Sequence, residues 1–290
     1  MALTKVGKEG ITGISNSSDA TAITIDSSER VGIGTSVNSL FNAVGGVAKL
    51  AVTGESSSTN ILGNTDASIA IINTDQTANN TAGLHFARAD TDDTPNYAGA
   101  SIVAQFPDAQ VTGQYPKGEL AFLTSTTANA APSEKMRIDS SGRVTMPNQP
   151  AFQVYKSSND QDNFAAGNAS VVVTWSAEAF DIGSNFASNT FTAPVTGKYL
   201  LTAKLRVGDV DNASQYYIMK IVTSNGNAFD IFDSNVYSSD LDYVTLQVTT
   251  VQDMDANDTA QIQITQQGGT AQSRIIGSRH YSNFSGYLLG

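Results

Sequence analysis

The 290-residue sequence has no cysteine, and only 15% of its residues are charged. Without cysteine, the chain forms neither disulfides nor thiolate metal sites. No stretch approaches the roughly 20 apolar residues that cross a bilayer, and the start, MALTKVGKEGITG, lacks the apolar core of a signal peptide. We therefore expect no membrane insertion and no export through a secretory signal.

Basic residues are also scarce. The formal net charge is -11, and the lysines and arginines are not clustered. Because phosphate-rich partners are bound by clustered basic residues, we predict no nucleic-acid partner. Hydrophobic residues nevertheless make up 40% of the chain. This composition is typical of a folded protein rather than a disordered acidic one, and we expect more than one folded unit.

Aromatic residues divide the chain unequally. Only six of them precede residue 151, whereas 17 follow residue 150, so only the C-terminal half has the side chains for a large core of its own. The segment TMPNQP, residues 145–150, has two prolines and an asparagine, which is typical of a linker. We predict an N-terminal attachment segment (1–35), a β-rich shaft domain (36–147) and a C-terminal knob (148–290).

Alternation with a period of two dominates the C-terminal half. In KYLLTAKLRV, Tyr199, Leu201 and Val207 share one face, while Lys204 and Arg206 share the other, which indicates a half-buried strand. QYYIMKIVT, DYVTLQVTTV, TAQIQIT and NFSGYLLG have similar patterns and are separated by turn sequences. Many short strands at this spacing predict an all-β fold with an antiparallel sandwich.

The sequence I-D-S-S-x-R-V occurs twice, from Ile25 and from Ile138. In the second copy, Asp139 suits the first position of a type I turn and Gly142 the left-handed position that closes a bulged hairpin. The first copy has Glu29 where the second has Gly142, which costs about 1 kcal/mol if that backbone is left-handed. Isolated hairpins are marginal, so we expect other chains to complete the two hairpins.

Residues 36–135 contain strand-like segments that alternate small with aliphatic residues. These segments are VAKLAVTG, ASIAIINT, GLHFARA, ASIVAQF and GELAFLTS. Small side chains let strands approach closely around a threefold axis, and the shortage of large apolar residues favours a trimeric shaft. The alternative is a monomeric sandwich with a thin core.

Patterns that carry chemistry are few. His85 and His280 lie in different predicted domains, and no paired histidines, HExxH motif or phosphate loop is present. No serine has a recognisable base, so we predict no cofactor, no catalytic residue and no enzymatic activity. A polysaccharide depolymerase ranks last among the alternatives, because no carboxylate pair stands out from the 27 acidic residues.

An acidic turn, DMDAND, resembles calcium loops in composition. It brings Asp253, Asp255, Asn257 and Asp258 together, but an EF-hand would have glycine at position 258 and glutamate at position 264, where this chain has Asp258 and Ile264. A solvated turn between two strands is therefore the favoured interpretation. The turn DVDNAS, residues 209–214, is interpreted in the same way.

Aromatic residues near the predicted loops suggest glycan contacts, because sugar faces stack on aromatic rings. The candidates are Tyr216, Tyr217, Phe229, Phe232, Tyr237 and Tyr243. For most of them we favour a place in the sandwich core or in a threefold interface. Tyr237, in the polar segment SNVYSSD, is the candidate for an exposed receptor contact.

Two stretches of the C-terminal half resemble signature stretches of the complement C1q family of globular domains. They are TFTAPVTGKYLLTAKL (190–205) and SNFSGYLLG (282–290), with PAFQVY (150–155) as the first strand. The resemblance implies a ten-stranded jelly roll, shared with tumour necrosis factor, that forms a homotrimer; some relatives bind calcium near the trimer apex. The residues that carry it, to which the resemblance gives structural roles, include Phe191, Pro194, Gly197, Tyr199, Phe284, Gly286 and Tyr287.

The first half resembles the repeats of phage tail fibres and tail-spike stalks. GELAFLTS, SEKMRIDSSGRV and ITIDSSERVGIGT carry this resemblance. Many such fibres end in a self-cleaving chaperone domain, but here a jelly roll follows, so autocleavage is not expected. Both resemblances together imply a homotrimeric tail fibre on the virion exterior, assembled in the host cytoplasm. Its N-terminus would bind another virion protein, and its knob a host-surface glycan or protein.

Two alternatives remain open at this stage. The fibre could decorate the capsid rather than the tail, because residues 1–35 do not distinguish the two positions. A secreted bacterial adhesin is the other alternative, although it should begin with a signal peptide.

Overall fold

A computed structural model describes residues 23–25, 31–33, 50–52, 69–88, 98–127, 130–164 and 166–290. The chain divides into two compact units. The first comprises Met1–Gln76 with Ala82–Leu84, and the second comprises Thr77–Thr81 with His85–Gly290. The prediction of three domains, at 1–35, 36–147 and 148–290, stays a prediction.

Three short strands are described in the first unit: β1 (Ile23–Ile25), β2 (Val31–Ile33) and β3 (Leu50–Val52). β1 and β2 pair antiparallel with Ile25 opposite Val31, and β3 pairs parallel to β2. The first I-D-S-S-x-R-V copy therefore forms a paired strand couple, as predicted. A third strand, β3, comes from the same chain, and the expectation that other chains complete the hairpin stays a prediction. The connecting residues, including Glu29, lie outside the described ranges.

Five strands follow in a sheet whose spatial order is the order of the sequence. They are β4 (Asn80–Ala87), β5 (Ala98–Phe106), β6 (Glu119–Thr124), β7 (Ser133–Ile138) and β8 (Val144–Thr145). Three of the predicted shaft segments thus correspond to β4, β5 and β6. The strand predicted at ASIAIINT is wrong for its described part, because residues 69–74 form no strand. Alternating residues make a strand only where a neighbouring strand takes up their backbone hydrogen bonds.

The second I-D-S-S-x-R-V copy is the β7–β8 hairpin. The Gly142 N–H donates to the Asp139 carbonyl at 2.8 Å, and the Asp139 N–H donates to the Arg143 carbonyl at 3.0 Å. Gly142 has φ +79°, the left-handed value expected of the bulge position. Ile138 stands opposite Val144, which is the register that Ile25 and Val31 have in the first copy.

Twelve strands after Pro150 form two six-stranded antiparallel sheets. The strands are β9 (Ala151–Tyr155), β10 (Ser170–Val172), β11 (Ala177–Ile182), β12 (Phe186–Ala187), β13 (Thr190–Thr192), β14 (Gly197–Val210), β15 (Ser214–Thr223), β16 (Gly226–Phe232), β17 (Leu241–Met254), β18 (Thr259–Gly268), β19 (Arg274–Ile275) and β20 (Asn283–Leu288). A single 3-10 turn (Ser234–Val236) is the only helical element in the described ranges, so no described helix could span a membrane.

The order of these strands defines a jelly roll. The first sheet runs β11-β9-β20-β14-β17, with β19 beside β14, and the second runs β12-β13-β18-β15-β16, with β10 beside β18. The first and last strands of the sandwich, β9 and β20, are neighbours, and the chain crosses repeatedly between the sheets. The prediction of an all-β chain with a C-terminal jelly-roll sandwich is confirmed.

The core of the sandwich lies between the two sheets. Its largest fully buried side chains include Tyr199, Tyr217, Phe152, Phe191 and Phe284. Tyr199 donates its hydroxyl to the carbonyl of Val195 at 2.8 Å, and the Asp211 N–H donates to the Tyr217 hydroxyl at 2.9 Å. Burial raises the pKa of Tyr199, and the bond to Val195 opposes this shift only in part. The core is thus aromatic, with its polar tips satisfied.

Candidate functional site

Four of the seven residues given structural roles by the C1q-like motifs lie in the core: Phe191, Tyr199, Phe284 and Gly286. The ring of Phe191 lies 4.5 Å from that of Phe152. At Gly286 a Cβ atom would stand 2.4 Å from the Phe152 ring, so only glycine lets β20 lie at this distance from the aromatic cluster.

The other three motif residues lie nearer the surface. Pro194 is exposed, Gly197 is half-buried, and Tyr287 is exposed on the outward face of β20. At Gly197 a Cβ atom would lie 2.7 Å from Cδ1 of Leu288, so this glycine lets the C-terminal strand end beside β14. Tyr287 therefore contacts solvent or a partner rather than the sandwich core.

An apolar row crosses the outward face of the first sheet. Ile182, Ala151, Tyr287, Leu200 and Val251 stand next to one another on the five successive strands. Tyr287 and Val251 are 39% and 53% exposed in the single chain. A row of this kind on five neighbouring strands is a surface suited to association.

An arginine between two tyrosines lies on the same face. The guanidinium of Arg206 stands 4.2 Å from the ring centre of Tyr243 and 4.5 Å from that of Tyr281. Such cation–π pairs strengthen when water is excluded from them. Arg206 Nε is buried and has no hydrogen-bond partner in the described ranges.

The five-stranded sheet has an apolar face with no cover from the described chain. This face carries Ile102, Ala104, Leu120, Phe122, Met136, Ile138 and Val144, placed together by the strand registers, and Phe86, whose neighbour His85 bonds Ser101 on the opposite face. Within β4–β8, only Ser101 and Ala121 are buried, and both belong to the opposite face. Among the described residues, the sheet therefore has no core of its own, and an isolated sheet without one is marginally stable.

The opposite face of this sheet carries an ionic network centred on Arg137. Arg137 makes ion pairs with Glu119 and Glu134 and donates to Gln105 at 2.8 Å. The hydrogen bond from Arg137 holds the pKa of Glu134 below its usual value. His85 is hydrogen-bonded to Ser101 at 2.8 Å on the same face. A satisfied ionic network next to water contrasts with the uncovered apolar face behind it.

Tyr237, the predicted receptor contact, follows the 3-10 turn and is 43% exposed. Its ring stacks on that of Phe232 at 5.6 Å, and its carbonyl accepts a hydrogen bond from the Asn212 amide at 3.2 Å. Asp240 accepts from the Asn212 N–H and from Gln272, and these two bonds lower the pKa of Asp240. The loop thus presents Tyr237 in a fixed position, and its role as a contact stays a prediction.

The core interpretation of the candidate aromatics is correct for Tyr217, which is buried, but Phe229 is 60% exposed. Tyr243 is also exposed in the single chain. The sequence predicted a threefold interface as the alternative to the core for such residues. In β16, Asp230 lies at a core-facing position of the strand alternation, and its carboxylate accepts a hydrogen bond from the Gln247 N–H at 3.1 Å. The Asp230 carboxylate thus joins two edge strands from the inner side of β16. The neighbouring Phe229 therefore lies on the outer side, whereas the sequence predicted core packing for it.

The acidic turn DMDAND holds its side chains through bonds within the protein. Asp253 pairs with Lys198 at 2.7 Å, while Asp258 accepts from the Asn225 amide at 2.6 Å and from the Asp255 N–H at 2.8 Å. Within the ranges that the structure describes, no group of three or more acidic or histidine residues is arranged to hold a metal ion.

Similarity to known proteins is found among solved structures and not among sequence families. No protein-family model matches the chain, and no curated protein matches it. Among solved structures, the globular domain of zebrafish complement 1qA is similar at 15% identity and a TM-score of 0.35, covering 49% of this chain and 98% of that domain. Crystal structures of murine APRIL are similar at 14% identity and a TM-score of 0.35, covering 49% of this chain and 99% of theirs. The jelly-roll assignment itself rests on the strand order described above.

Proposed function

We propose that the protein is the homotrimeric structural fibre of a phage virion, a tail fibre that meets the host surface through its C-terminal jelly roll. The observation that carries this proposal is the uncovered apolar face of the five-stranded sheet, next in sequence to a sandwich with an apolar row on its first sheet. Two apolar surfaces that the described residues leave without cover are suited to association with further copies of the chain.

Sequence resemblance supports the phage assignment. The two I-D-S-S-x-R-V copies have the same register in their paired strands, as repeats of one fibre element would. In this proposal residues 1–35 bind another virion protein, and the fibre lies on the virion exterior after assembly in the host cytoplasm. Adhesion is multivalent and non-enzymatic: three knobs on each fibre convert weak contacts into firm attachment.

Native mass spectrometry of the full chain at micromolar concentration tests the assembly. We expect a trimer, and a species that is only monomeric would contradict the proposal. Met136→Lys places a charge on the apolar face and should shift the chain towards monomer, since a buried unpaired ammonium is costly. Leu123→Lys, on the opposite face of the same sheet, is the matched control and should leave the trimer intact.

Electron microscopy of particles labelled with an antibody to residues 148–290 tests the location. Label at the tail supports the proposal. Label on the head would assign the protein to the capsid as a decoration fibre instead, and particles without label would favour a bacterial adhesin. Incubation with host polysaccharide checks the absence of enzymatic activity, because a depolymerase would shorten the chains.

A further inference from the structure

A cleft of about 540 Å³ opens at the edge of the sandwich, where β11 of the first sheet and β12 of the second sheet diverge. Trp175 and Phe186 contribute its aromatic walls, and the buried side chain of Val154 lies at its base. Its size falls in the range of pockets that hold small ligands. None of the sequence motifs pointed to this cleft.

Trp175 joins the cleft to the core. The indole stacks on the ring of Phe284 at a centroid distance of 6.3 Å, yet the residue is only half-buried and lines the cleft. Its Nε1 atom is buried and has no acceptor in the described part of the chain. The indole therefore offers the cleft an apolar aromatic surface, while its N–H is directed into the protein.

Glu178 brings a carboxylate to the same cleft. It pairs with Val154, whose side chain points into the core, so Glu178 stands on the core-facing side of β11. A β-bulge follows at once, where the register shifts between Glu178 and Phe180. The Glu178 carboxylate forms no ion pair or hydrogen bond with the described residues, and its acceptor oxygens remain available.

Asn189 supplies a donor from the other wall. Ser188 and Asn189 form the two-residue turn between β12 and β13, with φ of 51° and 65°, as in a type I′ hairpin. The Asn189 Oδ1 atom accepts from the backbone N–H of Trp175 at 2.8 Å, which fixes the Asn189 side chain between the two walls. Its amide nitrogen and the Ser188 hydroxyl are then available to a ligand in the cleft.

We propose that this cleft binds a neutral sugar residue of a host-surface glycan, an inference that rests on the proposed adhesive function and assigns its contact site. A sugar ring offers an apolar face to Trp175 and hydroxyls both to a carboxylate and to an amide. An anionic sugar would be repelled by Glu178 and by a chain of net charge -11. A purely apolar ligand would leave the carboxylate desolvated without a partner.

The chain has a single tryptophan, so its fluorescence reports directly on the cleft. We would titrate the full-length protein with glucose, galactose, mannose, N-acetylglucosamine and, as an anionic comparison, glucuronic acid. A saturable change in Trp175 emission with at least one neutral sugar, and none with glucuronic acid, is expected. No change with any neutral sugar at concentrations up to tens of millimolar would overturn the proposal.

Two isosteric variants test the residues. Glu178→Gln removes the negative charge of the cleft. Asn189→Asp loses the amide donor, but it keeps the acceptor for the backbone N–H of Trp175 and tolerates the left-handed turn. Each should weaken sugar binding about tenfold, as expected for loss of a hydrogen bond to a charged or fixed partner, with an unchanged melting temperature. Unchanged affinity in both variants would contradict the proposal, and Glu178 would then act only as an inward charge that protects an edge strand.

Adsorption to host cells separates this inference from the proposed function. Tyr237→Ala, which alters the other predicted receptor contact, is compared with Glu178→Gln in the same adsorption assay. If the wild type and Glu178→Gln bind cells equally while Tyr237→Ala does not, the cleft proposal fails and the adhesive function stands. If the wild type binds no cells but its fluorescence responds to a neutral sugar, the adhesive function fails and the cleft stands.

Discussion

Substitution of Gly142 tests whether this position needs glycine for its left-handed backbone, because a Cβ atom there would not clash with a neighbour. Its φ is +79°, and a Cβ atom built on it meets nothing within 4 Å, so Gly142→Ala changes only the backbone preference. We expect the free energy of unfolding to fall by about 1 kcal/mol in chemical denaturation. Gly118→Ala is the matched control, because a Cβ atom at Gly118 also meets nothing and its φ is not in the left-handed range.

An equal loss of stability in both glycine variants would contradict the prediction, because the left-handed backbone would then not account for the effect at position 142. The first repeat gives a reciprocal experiment. Glu29 occupies the position equivalent to Gly142, and the paired strands around both turns have the same register. If the first turn is also left-handed there, Glu29→Gly stabilises the chain, which answers the question that the sequence raised.

The same residues explain what the sequence could predict. The left-handed position of Gly142 follows from turn chemistry over five neighbouring residues, so it was predicted correctly. The exposure of Phe229 depends on Asp230 bonding to a strand of the other sheet, 17 residues away. The cleft forms between a bulge after Glu178 and a turn at Asn189, and these two features come close together only in the folded sandwich. Local pattern therefore gave the strands and hairpins, but not the pairing between sheets.

The β7–β8 hairpin should be the acid-sensitive element of the five-stranded sheet. The hydrogen bond from Arg137 lowers the pKa of Glu134, and the backbone and side chain of Arg143 lower that of Asp139. Both carboxyls are less easily protonated in the folded chain than at their ordinary values of 4.5 and 3.8. Their stabilisation is therefore complete above about pH 4.5 and is lost as the pH falls through the folded pKa values.

Amide hydrogen exchange of the β7–β8 hairpin at pH 7 and pH 3, corrected for intrinsic rates, measures this effect. We expect protection to decrease at pH 3, and Glu134→Gln should lower protection at pH 7 while making it less dependent on pH. Glu178→Gln, in the sandwich, is a control that should leave the hairpin unaffected. The same decrease in the wild type and in Glu134→Gln would show that the Arg137 pair does not contribute.

Stability is distributed unequally along the whole molecule. Every member of the large buried cluster belongs to the sandwich, from Phe152 to Phe284. The five-stranded sheet, by contrast, has an apolar face that no described residue covers, and only two residues within its strands, Ser101 and Ala121, are buried. The sandwich therefore has the contacts to fold alone, while the sheet requires partners for its apolar face.

A fragment of residues 146–290 tests this division. It keeps the bonds that anchor the first strand, since the Gln149 amide donates to the Leu288 carbonyl at 3.1 Å and the Leu288 N–H donates to the Pro150 carbonyl at 3.0 Å. We expect a β-sheet circular dichroism spectrum and one cooperative thermal transition, whereas a non-cooperative melt would contradict an autonomous sandwich. Its mass in native buffer then assigns the trimer contacts. A trimeric fragment would show that the sandwich, with its row through Tyr287 and Leu200, suffices for association, and a monomeric one that residues before 146, which include the five-stranded sheet, are required.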